Sequence, residues 1–357
     1  MPSSTTSAPI HILGLGNLGK LFTHALTTST SLTPVTILTH RPGLPYAFQQ
    51  SGSAISILRN GIATTTPTDL VTISQISISE TSPIKHLIVT TKAADTAKAL
   101  QPLVSKLGPE STILFTQNGM GVIDEVNDLC FPEFAKRPNY LTAIVVHGVF
   151  STGPFSATHA SVADMKIGLT SNGSGRNVEN RGAKEMLGRI VRAESLVAKE
   201  VEPRELIAVQ LEKLCVNACI NPLTVIFRTL NGGLLDERVE GLRGVLCQEG
   251  SAVFLKYLDA TIGLDQGLKE RFEAGRLESM VREVTERVKE NKSSMYQDFD
   301  AGRETEVSYI NGWFAKRGEE YGVDVRTHER LVELVEAKEE VKLDNIGSVF
   351  PKTNVAI

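Results

Sequence analysis

The chain has 357 residues, of which 41% are hydrophobic and 22% are charged, and its formal net charge is −4. This length exceeds that of most single domains and predicts two. Neither the composition nor the charge indicates binding to nucleic acid or to a membrane surface, which usually needs a basic patch or tail. We also expect no membrane span, because no apolar run reaches the roughly 18 residues that a spanning helix needs.

The amino-terminal segment MPSSTTSAPI is rich in serine and threonine, and the first basic residue is Lys20. A secretory signal needs a basic region before an apolar core, and a transit peptide needs arginine. We therefore predict a disordered arm over 1–9 and a cytoplasmic protein.

The four cysteines form no C-x-x-C pair. Cys215 and Cys219 lie one helical turn apart, which would suit a metal or redox pair, but no histidine or carboxylate completes a ligand set. We interpret both as small buried apolar residues and predict no metal site. Free thiols also favour the cytosol.

Residues 10–198 alternate short β-rich runs with helical stretches. In chain order these are the strand IHIL, the helix GKLFTHALTTS, the strands PVTILTH and HLIVTTK, the helix ADTAKALQPLVSKLG, the strand TILFTQNG and the helix MGVIDEVNDLCF. This alternation predicts a parallel sheet covered on both faces. The segments NYLTAIVVHGVF and KIGLTS are also β-rich, and we expect them to extend this sheet.

From about Pro203 onward the apolar residues recur at helical spacing. The helical segments are PRELIAVQLEKLCVNACI, VLCQEGSAVFLKYLDA, RLESMVREVTERVKENK, EVSYINGWFAKRGEEYG and HERLVELVEAKEEVK. None of this part reads as a strand. We therefore predict an all-α C-terminal domain over 199–345 after an α/β domain over 10–198.

A glycine-rich loop joins the first strand to the first helix. Its sequence is Gly14-Leu15-Gly16-Asn17-Leu18-Gly19. The first glycine suits a tight turn, the second a close approach to a pyrophosphate, and the third close packing of helix and strand, while the helix N-terminus attracts phosphate. This context predicts that the α/β domain is a Rossmann-like dinucleotide-binding domain.

The end of the second predicted strand indicates which dinucleotide binds. NAD binders carry an acid here for the ribose 2′-hydroxyl, whereas this sequence reads LTHRPG and offers Arg41. A guanidinium would pair with a 2′-phosphate, which favours NADPH over NADH. Alternatively, Arg41 is a solvated loop charge.

Lys213, Asn217 and Asn221 are spaced four residues apart, which places them within an arc of about 80° on one helix face. Their neighbours are mostly apolar, so we expect the three to line a polar cleft. A partly desolvated lysine has a lowered pKa, and it could protonate a carbonyl oxygen that accepts a hydride. Pro222 disfavours helical geometry at Asn221, so we expect a bend there.

These residues also have plainer interpretations. Lys213 could pair with Glu212 or Glu205, and the two asparagines could cap helices or join them by hydrogen bonds. Glu306 begins a helical segment at the edge of its apolar face, where it would either complement the helix dipole or contact a ligand. Ser294, in the segment NKSSMYQDFDAGRE that precedes Glu306 and its helix, is a further candidate site residue.

Together these motifs resemble the ketopantoate reductase family along nearly the whole chain, from residue 10 to about 340. The family combines the glycine loop with a lysine after the fourth strand, a QNG segment, a K-x-x-x-N-x-x-x-N-P helix and an S-S-M-x-Q-D…E segment. The matching positions here are Gly14–Gly19, Lys92, Gln117-Asn118-Gly119, Lys213, Asn217, Asn221-Pro222, Asn231, Ser293-Ser294-Met295 and Glu306.

The resemblance implies an enzyme that reduces ketopantoate (2-dehydropantoate) to (R)-pantoate with NADPH, a step toward pantothenate and coenzyme A. It implies that Lys213 donates the proton. Asn118 would lie where nicotinamide and substrate meet, and Lys92 and Glu306 would contact the cofactor. The residues that would hold the substrate are Asn217, Asn221, Asn231 and Ser294.

Two alternatives stay open at this stage. The first is an NADPH-dependent reductase of another 2-keto acid or a small ketone, and the second is a non-catalytic NADP-sensing protein. We expect a small keto acid as the partner, with no nucleic acid and no membrane. The sequence leaves the oligomeric state, including a homodimer, open.

Overall fold

The structure is a computed structural model that describes residues 8–77, 82–173 and 181–351. The chain divides into two compact units. Unit 1 comprises Met1–Gln117 and Val122–Leu206, and unit 2 comprises Asn118–Gly121 and Ile207–Ile357.

The division between the units lies after Leu206, whereas the sequence places a boundary after residue 198. The short segment 118–121, which follows a strand of unit 1 in the chain, belongs with unit 2. Of the predicted arm over 1–9, residues 1–7 lie outside the described residues.

Unit 1 is an α/β domain, as predicted. Its described strands are β1 (Ile10–Leu13), β2 (Val35–Thr39), β3 (Ser56–Arg59), β4 (Ile62–Thr65), β5 (Val71–Gln75), β6 (His86–Val89), β7 (Thr112–Phe115), β8 (Asn139–Ile144), β9 (Gly148–Gly153), β10 (Ser156–Ser161), β11 (Met165–Thr170) and β12 (Ala198–Glu200). Its described helices are α1 (Asn17–Thr28), α2 (Leu44–Gln50), α3 (Thr96–Leu100), α4 (Val122–Leu129) and α5 (Arg181–Val191).

The large sheet of unit 1 has the strand order β12-β11-β8-β7-β6-β1-β2-β5. Its neighbouring strands run parallel except at the antiparallel pair of β8 and β11. Strands β6, β7 and β8 are buried along their whole length, as expected for a sheet covered on both faces. The chain order reverses beside β1, so the glycine loop leaves the sheet at the switch point where such folds take ligands.

A second, four-stranded sheet has the order β4-β3-β10-β9 and was not predicted. The expectation that all of NYLTAIVVHGVF extends the large sheet is therefore wrong for its second half, because β9 pairs with β10. No residue of β9 is buried, and the strand contains serine, threonine and glycine, so it does not suit a sheet that is covered on both faces.

The predicted helix ADTAKALQPLVSKLG is shorter in the structure. Only α3 is α-helical, and the turns Ala93–Asp95 and Gln101–Lys106 on either side of it are 3-10 helices. Pro102 lacks the N–H that would continue an α-helix through this segment.

The described residues of unit 2 form helices and their connections and no strand, as predicted. Helix α6 (Pro203–Ile226) begins in unit 1 and continues into unit 2. The other described helices are α7 (Glu237–Ile262), α8 (Gln266–Arg271), α9 (Ala274–Arg287), α10 (Ser294–Asp300), α11 (Val307–Tyr321), α12 (Arg326–Glu336) and α13 (Ile346–Val349).

The expectation about membrane spans needs a correction at α6. This helix has 24 residues and contains an apolar window with a mean hydropathy of 1.2. By length and composition alone it could cross a membrane. Of that apolar window, 61% is buried inside the protein. Such burial is typical of the core helix of a globular domain, so the apolar character of α6 is weak support for a span.

Candidate active site

The glycine loop of unit 1 has the geometry that its sequence predicts. Gly14 has φ +103°, a conformation that side chains rarely adopt. A Cβ atom at Gly19 would lie 2.2 Å from the carbonyl oxygen of Gly14, so only glycine allows α1 to begin so close to the turn. The hydroxyl of Thr90, after β6, donates to the carbonyl oxygens of Leu13 and Gly14 and fixes the same turn.

The N-terminus of α1 suits a pyrophosphate. No side chain caps the helix, so the main-chain N–H groups of its first turn stay available for an anion. A Cβ atom at Gly16 would have no heavy atom within 4 Å, so the loop is open at the glycine where a phosphate would approach. Leu15 and Leu18 pack against the hydrophobic core of unit 1.

Two side chains of the first turn tie α1 to the hairpin of β9 and β10. Asn17 Nδ2 donates to the carbonyl oxygen of Val149 at 2.9 Å. The ammonium of Lys20 is bound by Ser151 Oγ at 2.7 Å and by the carbonyl oxygens of Gly153 and Ser156. Burial lowers the pKa of Lys20. No local sequence pattern indicates this role of Lys20, because its partners lie more than 130 residues away.

The predicted cofactor residues Arg41 and Lys92 are both exposed and follow strands of the large sheet. Arg41 comes two residues after the end of β2, and its side chain has no partner among the described residues. Lys92 comes three residues after the end of β6, and its carbonyl oxygen accepts from the hydroxyl of Thr96. Both cations therefore follow the carboxyl ends of β2 and β6, the two parallel strands that flank β1, and a dinucleotide binds at this edge of the sheet in this fold class.

In unit 2, a chain of hydrogen bonds connects Lys213, Asn118 and Glu306. The Nζ of half-buried Lys213 donates to Asn118 Oδ1 at 2.9 Å. Asn118 Nδ2 donates to Glu306 Oε2 at 3.1 Å. Glu306 is buried at the start of α11 and makes no capping hydrogen bond with its side chain. The structure thus brings together three predicted site residues that are far apart in sequence.

The segment that carries Asn118 is held by α11. Met120 N donates to the carbonyl oxygen of Tyr309 at 2.9 Å. Gly119 has φ +81°, and a Cβ atom there would lie 2.3 Å from the same Tyr309 oxygen. The glycine of the QNG motif is therefore required for Asn118 to stand beside Lys213 and Glu306.

Burial lowers the pKa of Lys213 to about 8, and the carboxylate of Glu306 opposes this effect. The pairing of Lys213 with Glu212 is not what the structure shows. Glu212 binds Arg271 at 2.8 Å and Arg276 at 3.1 Å instead. Lys213 therefore has the properties of a proton donor that works near neutral pH.

Asn217 and Asn221 follow Lys213 on α6. Asn217 is half-buried, Asn221 is 6% exposed, and neither side-chain amide bonds to another described residue. The structure keeps helical geometry at Asn221, because α6 continues through Pro222 to Ile226, and the expected bend stays a prediction. The two amides therefore stay on the helix, one and two turns beyond Lys213, as an unpartnered polar stripe.

Asn231 and Ser294 have different surroundings. Asn231 is buried, and its Nδ2 donates to the carbonyl oxygen of Val288 at 3.1 Å. Its Oδ1 has no hydrogen-bond partner among the described residues. Ser294 is the exposed first residue of α10, which Ser293 caps by accepting from Tyr296 N. The serine hydroxyl of position 294 is thus the more accessible of the two groups.

The cysteines of unit 2 lie closer together than the sequence indicated. Cys247 of α7 joins Cys215 and Cys219, and the three sulfur atoms lie within 4.8 Å of one another. All three are buried, as predicted for the first two. Hydrogen bonds with the other thiols, and burial, raise the pKa of Cys219, so this thiol is protonated at neutral pH.

The fold, the glycine loop of unit 1 and the hydrogen-bonded residues around Lys213 in unit 2 together define a class of protein. A Rossmann-like domain with an uncapped glycine-loop helix, together with a helical unit that presents a lysine of lowered pKa, is typical of an oxidoreductase that uses a nicotinamide dinucleotide.

Comparison with known proteins narrows this class. A family model described as "Ketopantoate reductase PanE/ApbA" matches residues 10–172, and its C-terminal counterpart matches residues 205–339. A probable 2-dehydropantoate 2-reductase of Schizosaccharomyces pombe is 31% identical over 92% of this chain and 96% of its own length. The chain belongs to the ketopantoate reductase family, and it is an oxidoreductase that acts on a CH–OH group.

Other relatives act on other acids. A ketoisovalerate reductase of Beauveria bassiana is 28% identical over 94% of this chain and 85% of its own length. The structure of D-mandelate dehydrogenase with NADH and anilino(oxo)acetate covers 95% of this chain and 99% of its own, with a TM-score of 0.73 and 22% identity. The last similarity concerns the fold.

Proposed function

We propose that this chain reduces 2-dehydropantoate to (R)-pantoate with NADPH. The observation that carries the proposal is the chain of hydrogen bonds from Lys213 through Asn118 to Glu306, beside the unpartnered amides of Asn217 and Asn221. The similarity to the probable 2-dehydropantoate 2-reductase of Schizosaccharomyces pombe supports the choice of substrate.

In this proposal Lys213 protonates the oxygen of the keto group. An ammonium with a pKa of about 8 is mostly protonated at pH 7, yet it gives up its proton more readily than an ordinary lysine. Its charge also stabilises the negative charge that develops on that oxygen. Asn118 orients the ammonium through its Oδ1, and Glu306 orients Asn118 and favours the protonated lysine.

The substrate's polar groups would be held by amides and a hydroxyl. Asn217 and Asn221 can each donate to a carboxylate and accept from a hydroxyl, so they suit a hydroxylated keto acid. The exposed hydroxyl of Ser294 is free to take part in the same way. For Asn231 the carbonyl oxygen is the group left to accept a substrate hydroxyl, because its Nδ2 already binds Val288.

The reducing cofactor supplies a hydride to the keto carbon when it is bound. Gly14, Gly16 and the first turn of α1 would hold its pyrophosphate through main-chain N–H groups. The exposed guanidinium of Arg41 would pair with a 2′-phosphate, which supports NADPH rather than NADH. Lys92 adds a second cation to the same sheet edge.

The second candidate is an NADPH-dependent reductase of another 2-keto acid, such as ketoisovalerate. The Beauveria bassiana relative favours it, since this chain is nearly as similar to that protein as to the 2-dehydropantoate 2-reductase of Schizosaccharomyces pombe. Ketoisovalerate lacks the hydroxyl of ketopantoate, so the two acids differ in how many amide hydrogen bonds they can use.

The deciding experiment follows NADPH oxidation with ketopantoate, ketoisovalerate and pyruvate, each repeated with NADH. We expect the highest kcat/KM for ketopantoate with NADPH. A kcat/KM for ketoisovalerate equal to or above that for ketopantoate would select the second candidate. Tight NADPH binding without turnover of any acid would instead indicate a sensing protein.

Two further properties are part of this proposal. We expect a cytoplasmic protein, which fractionation of cells expressing the chain tests. The oligomeric state, which the sequence leaves open between a homodimer and other states, is tested by light scattering behind size-exclusion chromatography.

A further inference from the structure

Pro222 lies inside α6, where it removes a helical hydrogen bond. In an α-helix each carbonyl accepts from the N–H four residues later, and proline has no N–H. The carbonyl of Ala218 therefore loses its usual donor. Ala218 is fully buried, so water does not replace that donor, and an unpaired buried carbonyl destabilises a fold.

Asn311 of α11 supplies the missing donor. Its Nδ2 lies 3.1 Å from the carbonyl oxygen of Ala218 and 3.1 Å from His328 Nδ1. His328 Nε2 bonds to the carbonyl oxygen of Leu246, which makes Nε2 the protonated nitrogen and Nδ1 an acceptor. Both hydrogens of the Asn311 amide are therefore assigned, one to Ala218 and one to His328.

The presence of an amide side chain at position 311 requires an explanation, because burying it carries a free-energy cost. Asn311 is fully buried, and its Oδ1 has no hydrogen-bond partner among the described residues. An apolar side chain would avoid that unpaired oxygen. The hydrogen bonds that the amide donates to Ala218 and His328 offset the cost of that unpaired oxygen.

We propose that Asn311 is a positioning residue for substrate binding, because its amide replaces the N–H that Pro222 lacks and so holds Asn217 and Asn221 in place on α6. The inference rests on the proposed function for the role of those two amides. Ala218 follows Asn217 directly, and Asn221 directly precedes the proline, so the repaired turn is the one that carries both. Lys213 lies a turn earlier, where the helix has its own N–H donors.

This arrangement predicts that loss of the Asn311 amide raises the KM for the keto acid and leaves kcat and the KM for NADPH nearly unchanged. Asn311→Ala should raise the KM for the keto acid about tenfold, equivalent to about 1.4 kcal/mol. The kcat and the KM for NADPH should change less than about threefold, because the reacting groups keep their positions.

Pro222→Ala gives a direct rescue test, since alanine at this position restores the N–H that Ala218 needs. In that background, Asn311→Ala should raise the keto-acid KM by less than about twofold, because the two changes act on one hydrogen bond and are not additive. The same tenfold increase in both backgrounds would overturn the proposal, and so would an unchanged KM in Asn311→Ala alone.

A matched control separates positioning from general loss of stability. The hydroxyl of Ser251 makes a buried hydrogen bond to the carbonyl oxygen of Phe272 at 2.6 Å in the same unit. Ser251→Ala should lower the melting temperature and leave the keto-acid KM unchanged. An equal rise of KM in Ser251→Ala would contradict the specific role of Asn311.

The unaltered protein, Asn311→Ala, Pro222→Ala and the double variant form a double-mutant cycle, and this cycle also distinguishes the inference from the proposed function. If the unaltered protein turns over no keto acid, the proposed function fails, but melting temperatures of the same four proteins still report whether Asn311 and Pro222 are coupled. If Asn311→Ala does not fold, the double variant with Pro222→Ala should fold. An unfolded double variant, or additive losses of melting temperature, would contradict the inference.

Discussion

Replacing Glu306 with glutamine tests how the acidity of Lys213 is set. Glutamine keeps an oxygen that accepts from Asn118 but removes the negative charge. In the structure that charge favours the ammonium form of Lys213 and opposes the burial that lowers the pKa to about 8. The pKa of Lys213 should therefore fall further in Glu306→Gln.

The size of the shift follows from the distance between the charges. The ammonium and the carboxylate both bond to the amide of Asn118, and we take about 6 Å, the upper end of the range over which a neighbouring charge shifts a pKa, as their separation. Coulomb's law then gives about 0.7 kcal/mol in bulk water and about 2.8 kcal/mol at an effective dielectric constant of 20. These limits correspond to a pKa shift of roughly 0.5 to 2 units.

The assay is kcat for keto-acid reduction as a function of pH. A general acid must be protonated, so kcat should fall as pH rises through the pKa of Lys213 in the complex. In Glu306→Gln this fall should move to lower pH by the stated amount. The control is Glu212→Gln, whose carboxylate adjoins Lys213 in sequence but binds Arg271 and Arg276. An unmoved profile in Glu306→Gln, or one moved to higher pH, would show that the Glu306 carboxylate does not raise the pKa of Lys213.

Three further predictions concern the cofactor and the fold. Arg41→Ala should raise the Kd for NADPH about tenfold or more and leave NADH unaffected, and equal losses in titrations with both would show that Arg41 does not bind the phosphate. Gly19→Ala should unfold unit 1 or lower its melting temperature, whereas Gly16→Ala should keep the fold and lose NADPH affinity; the reverse order in melting and titration experiments would contradict the loop geometry. Burial lowers the pKa of His159 to about 4 and also lowers that of His328, so the folded protein favours the neutral form of both. The melting temperature should therefore fall as pH drops below about 6.5, where both histidines become protonated in the unfolded chain. A constant melting temperature down to about pH 4.5 would contradict this.

The local parts of the site could be predicted from the sequence because they depend on short-range geometry. A Cβ atom at Gly19 would clash with Gly14, which is only five residues away in the chain, and the apolar stripe of α11 follows from helical spacing. Val307, Ile310 and Phe314 are buried as that spacing predicts. The ketopantoate reductase resemblance and the fold class are confirmed for the same reason, since both rest on motifs in local order.

The contacts between distant segments could not be predicted. Asn118 meets Lys213 across 95 residues and Glu306 across 188, and no pattern within either segment specifies that pairing. The continuation of α6 through Pro222 has the same origin. The rule that proline disfavours a helix is local, whereas the donor that keeps this helix intact is the amide of Asn311 on another helix.

The most direct test of the account is the effect of Lys213→Ala on catalysis and on cofactor binding, measured on the same protein. We expect kcat for ketopantoate reduction to fall at least about 100-fold, the usual scale for losing a general acid. The Kd for NADPH should stay within about twofold of its original value. A Lys213→Ala protein that keeps its kcat would contradict the claim that this ammonium protonates the substrate.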